Sequence, residues 1–251
     1  MRKGLVAANW KMHGQRQSNA DLLDALTTGL KESPGVEVLV CPPSVYLDQV
    51  STRLENNKIM LGAQNVHSQE SGAFTGELSA PMLRDVGCEF VIIGHSERRE
   101  LFGESDSFIA EKFSAVQEAG LVPILCIGET QQQREAGETE VTVLRQLDAV
   151  LEHAGVEEFK NAVIAYEPVW AIGTGLTATP EQAQEVHALI RGRLAEQSEE
   201  VAQKIRILYG GSVKGANAAE LFAQTDIDGG LVGGASLVAE DFLKICTSYN
   251  S

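Results

Sequence analysis

Apolar residues along the chain form eight short runs that are separated by longer stretches of mixed polarity. Most runs are nearly continuous and rich in Val, Ile and Leu, which is typical of strands buried on both faces of a parallel sheet. The runs cover residues 5–8, 38–41, 59–62, 90–93, 122–126, 162–166, 205–209 and 229–232. The pattern therefore predicts eight short buried strands.

Between most of these runs, apolar residues recur at helical spacing among Gln, Glu and Arg. The clearest segments of this kind are residues 19–30, 107–119, 138–152 and 180–197. The last of them has a well-defined start, because the Thr179 side chain can cap free backbone N–H groups and Pro180 suits the first turn. The alternation of strands and helices predicts an α/β protein.

The alternation is compatible with two parallel architectures. A right-handed series of eight strand–helix units can curl until its last strand pairs with its first, which gives a closed (β/α)8 barrel. A doubly wound open sheet would show the same periodicity. The 251 residues contain no Pro/Ser-rich linker or low-complexity tract. We therefore expect one domain over residues 1–251, with the barrel favoured and the open sheet as its alternative.

Composition and charge exclude several classes of protein. With 43% hydrophobic and 22% charged residues, the chain is a globular protein rather than a disordered or fibrous one. Its formal net charge of −15 would repel the phosphate backbone of nucleic acids, so we expect no nucleic-acid partner. An anionic substrate would need a local positive site that overcomes this field.

The N-terminal segment and the cysteines indicate the compartment. Arg2 and Lys3 precede only a short apolar run, which is too short for a signal peptide, and no run approaches membrane-spanning length. The four cysteines lie far apart, and the five histidines lack metal-site spacing. We expect a cytoplasmic protein with no membrane contact, no metal ion and no cofactor.

Small or reactive residues directly follow five of the eight apolar runs. In a barrel, all of these strand ends face one mouth. The residues are Asn9 and Lys11, then His95 and Ser96, then Glu167, then 210–212, then Gly233 and Gly234. Their convergence predicts a site, although each of them also has a purely structural explanation.

Glu167 and His95 are the candidate acid–base residues. Glu167 is either a solvated or salt-bridged acid at a strand end, or a general base whose pKa an apolar lid could raise. His95 leads into the helical sequence SERRELF, and a helix N-terminus favours a neutral imidazole that can donate to a substrate oxygen. Its alternative is a histidine satisfied by nearby backbone. Glu97 is interpreted as a structural charge, with a proton relay as the minority alternative.

Lys11 and the glycine pairs are candidates for anion binding. Lys11 is a surface residue, a fixed positive charge for a phosphate or carbonyl oxygen, or a Schiff-base amine as in an aldolase. Glycine pairs at 210–211, 229–230 and 233–234 let backbone N–H groups approach an oxyanion. Loops after the seventh and eighth strands of a barrel commonly bind phosphate, although glycine pairs are also frequent in ordinary turns.

Two loops have lengths that suggest function. Residues 172–175 form a glycine-containing segment that is either a lid beside Glu167 or a tight connection to the next helix. The long connection from Gln64 to Glu77 predicts an arm that buries itself in a second subunit, because Phe74 argues against simple disorder.

Seven segments together carry a resemblance to a known family. They are ANWKM at 8–12, GAFTGE at 72–77, IIGHSERR at 92–99, CIGE at 126–129, AYEPVWAIGTG at 165–175, YGGSV at 209–213 and LVGGASL at 231–237. In this order, the set closely resembles the triosephosphate isomerase family, the namesake of the (β/α)8 barrel. The glutamate, histidine and closing loop of that family are long-established examples of enzyme catalysis.

The resemblance implies an aldose–ketose isomerase of glycolysis and gluconeogenesis. It would interconvert dihydroxyacetone phosphate and D-glyceraldehyde 3-phosphate through an enediolate. The resemblance makes Glu167 the base and His95 a neutral electrophile, while Lys11, with Asn9 beside it, stabilises the negative charge. It also implies that backbone N–H groups of four residues hold the phosphate: Gly173, Ser212, Gly233 and Gly234.

The resemblance further implies a homodimer, in which Thr75 of the 64–77 loop reaches towards the partner's Asn9 and the partner's Lys11. Two positions depart from the common family pattern: His13 stands where many relatives carry Asn, and Leu176 where many carry Lys. These departures concern subunit contacts and the opening rate of the lid. A catalytically inactive barrel that only binds a phosphate metabolite or another protein is the remaining alternative.

Overall fold

The chain folds into a closed barrel of eight parallel strands. The structure is a computed structural model that describes residues 2–30, 35–172 and 177–250. Neighbouring strands pair in chain order, and the last pairs with the first, so that Val6 lies opposite Gly230. The strands are β1 (Leu5–Asn9), β2 (Glu37–Cys41), β3 (Ile59–Ala63), β4 (Phe90–Ile93), β5 (Val122–Ile127), β6 (Val163–Tyr166), β7 (Arg206–Tyr209) and β8 (Gly229–Val232). The predicted barrel is confirmed, and the open sheet was the wrong alternative.

Helices surround the barrel. They are α1 (Arg16–Gly29), α2 (Leu47–Leu54), α3 (Ala80–Asp85), α4 (Ser96–Phe102), α5 (Asp106–Glu118), α6 (Gln131–Glu135), α7 (Thr139–Ala154), α8 (Pro180–Ala195), α9 (Glu199–Lys204), α10 (Ala218–Phe222) and α11 (Ala239–Thr247). Short 3-10 segments cover Ser44–Tyr46, Val156–Asn161, Val169–Ala171, Gly234–Leu237 and Ser248–Asn250. The four helices predicted from periodicity are α1, α5, α7 and α8, so these predictions are confirmed apart from their bounds.

Local hydrogen bonds fix where two of these helices start. The Thr179 hydroxyl accepts the N–H of Gln182 at 3.2 Å and the Gln182 side chain accepts the N–H of Thr179 at 3.0 Å, so α8 starts at Pro180 as predicted. Helix α1 starts at Arg16, earlier than residue 19, because the Ser18 hydroxyl accepts the N–H of Gln15. Periodicity missed this turn because its residues are polar.

Two apolar layers explain why the strand sequences are continuous in apolar residues. One layer consists of strand residues only, and alternation along each strand places it inside the barrel. Its members are Leu5, Ala7, Leu39, Cys41, Phe90, Ile92, Ile124, Cys126, Val163, Ala165, Leu208 and Leu231. The other layer joins the remaining strand residues, such as Val6 and Val40, to the helices. Both strand faces are therefore buried.

The 64–77 loop is an ordered excursion that begins at the end of β3. The N–H of His67 donates to the Leu78 carbonyl at 2.8 Å and closes the base of the loop. Phe74 packs on the His67 ring with 4.2 Å between the ring centroids, but it remains 44% exposed. Within the described residues, no helix is both long and apolar enough to cross a membrane. The four cysteines are free and buried.

Candidate active site

A cavity of about 290 Å³ opens at the carboxyl ends of the strands. Seven of the eight predicted site residues line it: Asn9, Lys11, His95, Glu167, Ser212, Gly233 and Gly234. The eighth, Gly173, and the neighbouring Leu176 lie outside the described residues, as does most of the predicted lid at 172–175. The barrel therefore brings together residues that are far apart in the sequence.

Glu167 directly follows β6 and is only 1% exposed, so it is not a solvated strand-end acid. Its carboxylate accepts hydrogen bonds from the N–H of Ser96 at 2.9 Å and from the Ser96 hydroxyl at 3.3 Å. Burial raises the pKa of Glu167, but His95 and the Ser96 N–H lower it, and the net pKa lies below its ordinary value. The group is therefore ionised at neutral pH, as a general base must be.

His95 caps the N-terminus of α4, as predicted. Gly94 makes the turn after β4 with a φ of 66°, a left-handed conformation that glycine adopts without strain. The imidazole Nδ1 accepts the N–H of Glu97 at 3.2 Å, while Nε2 lies 3.0 Å from a carboxylate oxygen of Glu167. Since only a lone pair can accept the first bond, this geometry assigns the proton to Nε2.

Two effects act on the protonation of His95. Burial lowers its pKa, whereas the adjacent Glu167 carboxylate and, more weakly, Glu97 raise it. The net pKa of His95 lies above its ordinary value. The prediction of a neutral ring considered only the helix N-terminus and left out Glu167. The hydrogen bond that Nδ1 accepts opposes these carboxylates, because an imidazolium has no lone pair at that nitrogen.

Lys11 follows β1 in a strained backbone conformation. Its φ of 51° lies in the left-handed region, which costs a residue with a Cβ about 1–2 kcal/mol. The Asn9 side chain accepts the N–H of Lys11 at 3.0 Å, and the Gln64 amide donates to the Lys11 carbonyl at 2.9 Å. These two bonds hold the strained turn, and the turn places the amine beside the cavity.

Glu97 contacts two of the three candidate catalytic residues. Its carboxylate forms an ion pair with the Lys11 amine, and its backbone N–H donates to His95. Its interpretation as a charge that only stabilises the helix dipole is therefore incomplete. The proton-relay alternative for Glu97 stays a prediction.

The loops after β7 and β8 form the other side of the cavity. The Asn217 amide donates to the Ser212 carbonyl at 3.1 Å, and the Ser236 hydroxyl donates to the Gly233 carbonyl at 2.7 Å. These bonds fix the backbone of both loops beside the cavity. Lys214 also lines it and adds a second cation that the sequence argument did not single out.

Trp170 lies on the chain that leads into the predicted lid. Its indole N–H donates to the Glu129 carboxylate at 3.0 Å, and the Arg134 guanidinium lies 4.5 Å from the centre of its ring. The predicted lid rested on the cost of leaving this ring exposed. Because Trp170 is half-buried against these partners, that cost is only partly present in the described structure.

Sequence reasoning gave no role to several residues that organise the site. Ser96 holds the Glu167 carboxylate, and its helix position is the signal that could have identified it, because first-turn N–H groups lack helical partners. Gln64 was seen only as the start of a loop. Burial raises the pKa of the Cys126 thiol, and the nearby Glu167 carboxylate raises it further. That thiol therefore stays protonated.

The described residues contain no group of three or more His, Cys, Asp or Glu side chains placed to hold a metal ion. What the cavity offers instead is an ionised carboxylate, an imidazole and an ammonium group around a small space. Such an arrangement suits proton transfer next to a developing negative charge.

Comparisons with known proteins agree with this geometry. The sequence model of the family described as "Triosephosphate isomerase" matches residues 4–249. A triosephosphate isomerase from Dechloromonas aromatica is 59% identical over 250 residues and covers all of both chains. Those from Thiobacillus denitrificans and Pseudomonas putida are 60% and 58% identical, each over 98% of both chains. The chain belongs to the triosephosphate isomerase family.

Proposed function

We propose that this chain interconverts dihydroxyacetone phosphate and D-glyceraldehyde 3-phosphate through an enediolate, with Glu167 as the base. Its family gives it the role of an isomerase in glycolysis that acts on triose phosphate.

The Glu167 carboxylate takes a proton from the hydroxyl-bearing carbon next to the carbonyl. The electron pair of the broken C–H bond moves into the new C–C double bond, and the carbonyl oxygen gains negative charge. The carboxylic acid then returns the proton to the neighbouring carbon, which gives the aldose. To reach the substrate, the carboxylate must leave its hydrogen bonds to Ser96, which are 2.9 and 3.3 Å long.

His95 and Lys11 stabilise the charge that develops on the two substrate oxygens. His95 donates from Nε2, the nitrogen that faces Glu167 at 3.0 Å. A neutral imidazole suits this role: Nε2 gives its proton to the oxyanion of the former carbonyl, and the resulting imidazolate takes the proton of the neighbouring hydroxyl, so that the ring ends neutral again. Lys11, held in place by Asn9, supplies the positive charge. Its Nζ is held in an ion pair with Glu97, so an attack of this amine on a substrate carbonyl would first have to break that contact, and Schiff-base chemistry is disfavoured.

The phosphate is bound by backbone N–H groups of Ser212, Gly233 and Gly234, and Gly173 of the lid contributes as the resemblance implies. Lys11 and Lys214 add positive charge at the same cavity. This local charge accounts for anion binding by a chain whose net charge is −15. Closure of the lid would exclude water, which protects an enediolate phosphate from eliminating its phosphate.

The observation that carries this proposal is the convergence of Glu167, His95 and Lys11 on one 290 Å³ cavity beside the two glycine loops. Isomerisation in D₂O tests it. An enediolate formed by proton transfer exchanges with solvent, so glyceraldehyde 3-phosphate should carry deuterium at the carbon next to the aldehyde. A product without deuterium that Glu167→Gln forms as fast as the wild type would instead indicate direct hydride transfer and contradict the role of Glu167.

We also propose that the chain forms a homodimer through the 64–77 loop. Residues 1–251 would form one domain, and the protein would be located in the cytoplasm. The dimer is supported by large apolar side chains that are exposed near the site, with Met12 93% and Leu101 71% exposed. Both line a second cavity of about 630 Å³ that also includes Glu77. A protruding loop and an apolar recess on the same face suit a symmetric pair.

Sedimentation tests the dimer. We expect twice the chain mass for the wild type and one chain mass for Met12→Asp. Met12 is exposed in the single chain, so this substitution should hardly destabilise the fold of the single chain. Val141→Asp is the matched control, because Val141 is also exposed but lies on α7. A wild type that sediments as a single chain at micromolar concentration would overturn the dimer.

A further inference from the structure

We propose that Gln146 is a positioning residue for the candidate base, holding the backbone of Glu167 in place through Gly128. The inference rests on the proposed function, in which Glu167 moves the proton. Gln146 lies on α7, outside the cavity, and is not among its lining residues.

Gln146 uses both ends of its side-chain amide on a single residue. Its Oε1 accepts the N–H of Gly128 at 2.8 Å, and its Nε2 donates to the carbonyl of Gly128 at 3.1 Å. The side chain is only 6% exposed, so water competes poorly for either bond. A buried amide that forms two bonds to one peptide segment fixes both the position and the orientation of that segment.

Gly128 needs this partner because of where the neighbouring strand ends. Strand β5 pairs with β4 only up to Leu125, which lies opposite Ile93, the last residue of β4. Gly128 follows the end of β5, so no β4 residue pairs with it. Backbone N–H and carbonyl groups that lose their strand partner need another one, and Gln146 supplies it for both groups.

The other side of Gly128 contacts the main chain of Glu167. The N–H of Glu167 donates to the Ile127 carbonyl at 2.8 Å, and the N–H of Val169 donates to the Glu129 carbonyl at 3.1 Å. Gly128 lies between these two bonds. A Cβ at Gly128 would lie 1.8 Å from the carbonyl oxygen of Glu167, so this position has room only for glycine. The backbone of Glu167 therefore rests directly on Gly128.

This arrangement matters for proton transfer because the Glu167 side chain has to move while its backbone stays fixed. The carboxylate leaves Ser96 and must meet a substrate carbon within a narrow range of distance and angle. A displacement of about 1 Å can cost about a hundredfold in rate. If Gln146 no longer holds Gly128, the segment 127–129 can shift, and Glu167 shifts with it.

The first test replaces the amide by an apolar group of similar size, in Gln146→Leu. We expect kcat to fall tenfold to a hundredfold in the coupled assay, with KM changed by less than about threefold. KM should hold because the two described side-chain hydrogen bonds of Gln146 go to Gly128, which does not line the cavity. Val150→Ala is the matched control, since Val150 is fully buried one turn further along α7 and its truncation removes only apolar atoms.

A second variant keeps the test informative if Gln146→Leu folds poorly. In Gln146→Glu the introduced carboxylate can still accept from the Gly128 N–H, but it repels the Gly128 carbonyl. Once protonated, the carboxyl donates to that carbonyl and restores both bonds. We therefore expect the ratio of its kcat to the wild-type kcat to rise as the pH falls from about 8 to 6. A purely structural role would give a ratio that does not change in this way.

The inference is overturned if both Gln146 variants keep kcat within about threefold of wild type, or if Val150→Ala loses as much kcat as Gln146→Leu. Glu167→Asp, measured in the same assay, separates this outcome from failure of the proposed function. If Glu167→Asp is impaired and the Gln146 variants are not, only the positioning role fails. If Glu167→Asp is fully active, the proposed base itself is wrong.

Discussion

The buried His187 makes the stability of this barrel depend on pH. It lies on α8 with no exposed surface, between Tyr166 at 5.8 Å and Tyr209 at 6.4 Å, measured between ring centroids. Its Nδ1 is 3.2 Å from the Asp226 carbonyl. Burial lowers the pKa of His187 to about 3. The Asp226 carbonyl and carboxylate raise this pKa, whereas Arg191 lowers it. The ring is therefore neutral in the folded protein at any ordinary pH.

The size of the effect follows from proton linkage. In the unfolded chain the pKa of His187 returns to 6.5, so between about pH 6.5 and 3 the unfolded state binds one more proton than the folded state. Its contribution to the free energy of unfolding is fully present above pH 6.5 and is lost as the pH falls. From pH 7 to pH 5 the expected loss from this one group is about 2 kcal/mol.

Urea unfolding of the wild type and of His187→Gln, at pH 7 and pH 5 and at one protein concentration, measures this loss. His187→Gln keeps a side chain that can donate to the Asp226 carbonyl but does not titrate. We expect the wild type to lose about 2 kcal/mol more than the variant on acidification. His153→Gln, on the exposed side of α7, is the control and should behave like the wild type. Equal losses in wild type and His187→Gln would refute this reasoning.

Three further predictions concern the site. Ser96→Pro removes the N–H that bonds to the Glu167 carboxylate, and proline suits the first turn of a helix. The pKa of Glu167 should therefore rise, and the acidic limb of the pH profile of kcat/KM should move to higher pH. An acidic limb at the wild-type pH would contradict this. Lys11→Met should lower kcat/KM by about a hundredfold or more in steady-state kinetics, and wild type treated with dihydroxyacetone phosphate and borohydride should show no covalent adduct by mass spectrometry; an adduct would favour the aldolase alternative. Deleting residues 172–175 should leave a folded barrel that releases inorganic phosphate from substrate; unchanged turnover without release would contradict the lid.

Much of the fold was predictable because the barrel buries both faces of every strand. The apolar runs at 90–93 and 229–232 coincide with β4 and β8, and the others differ by one residue at an end. The strand-end rule then predicted which residues share the cavity. Two of these shifts add the polar residues Glu37 and Asn9, which continue a ladder without adding to the apolar pattern. At β5 and β7 the shifted residues are Ile127 and Ile205, whose apolar side chains do not mark where the strand stops or starts.

What could not be predicted from the sequence depends on contacts between distant segments. The first-turn position of Ser96 indicates a free N–H, but nothing local indicates that this N–H binds a carboxylate 71 positions away. The bonds from Gln146 to Gly128 likewise join a helix to a strand end. In the sequence, a buried glutamine of an amphipathic helix cannot be distinguished from an exposed one. The protonation of His95 was predicted incompletely for the same reason, because the Glu167 carboxylate that raises its pKa follows the distant strand β6.

The most direct test of the proposed mechanism is the rate of isomerisation of glyceraldehyde 3-phosphate by purified protein, measured in a coupled assay for the wild type, Glu167→Asp and His95→Gln. Shortening the carboxylate by one methylene group withdraws it from the substrate carbon, and glutamine at 95 cannot exchange a proton between the oxygens. We predict fast turnover by the wild type and a loss of about a hundredfold or more in each variant, with circular dichroism unchanged. Wild-type protein that binds triose phosphate without converting it, or variants as fast as wild type, would contradict the mechanism.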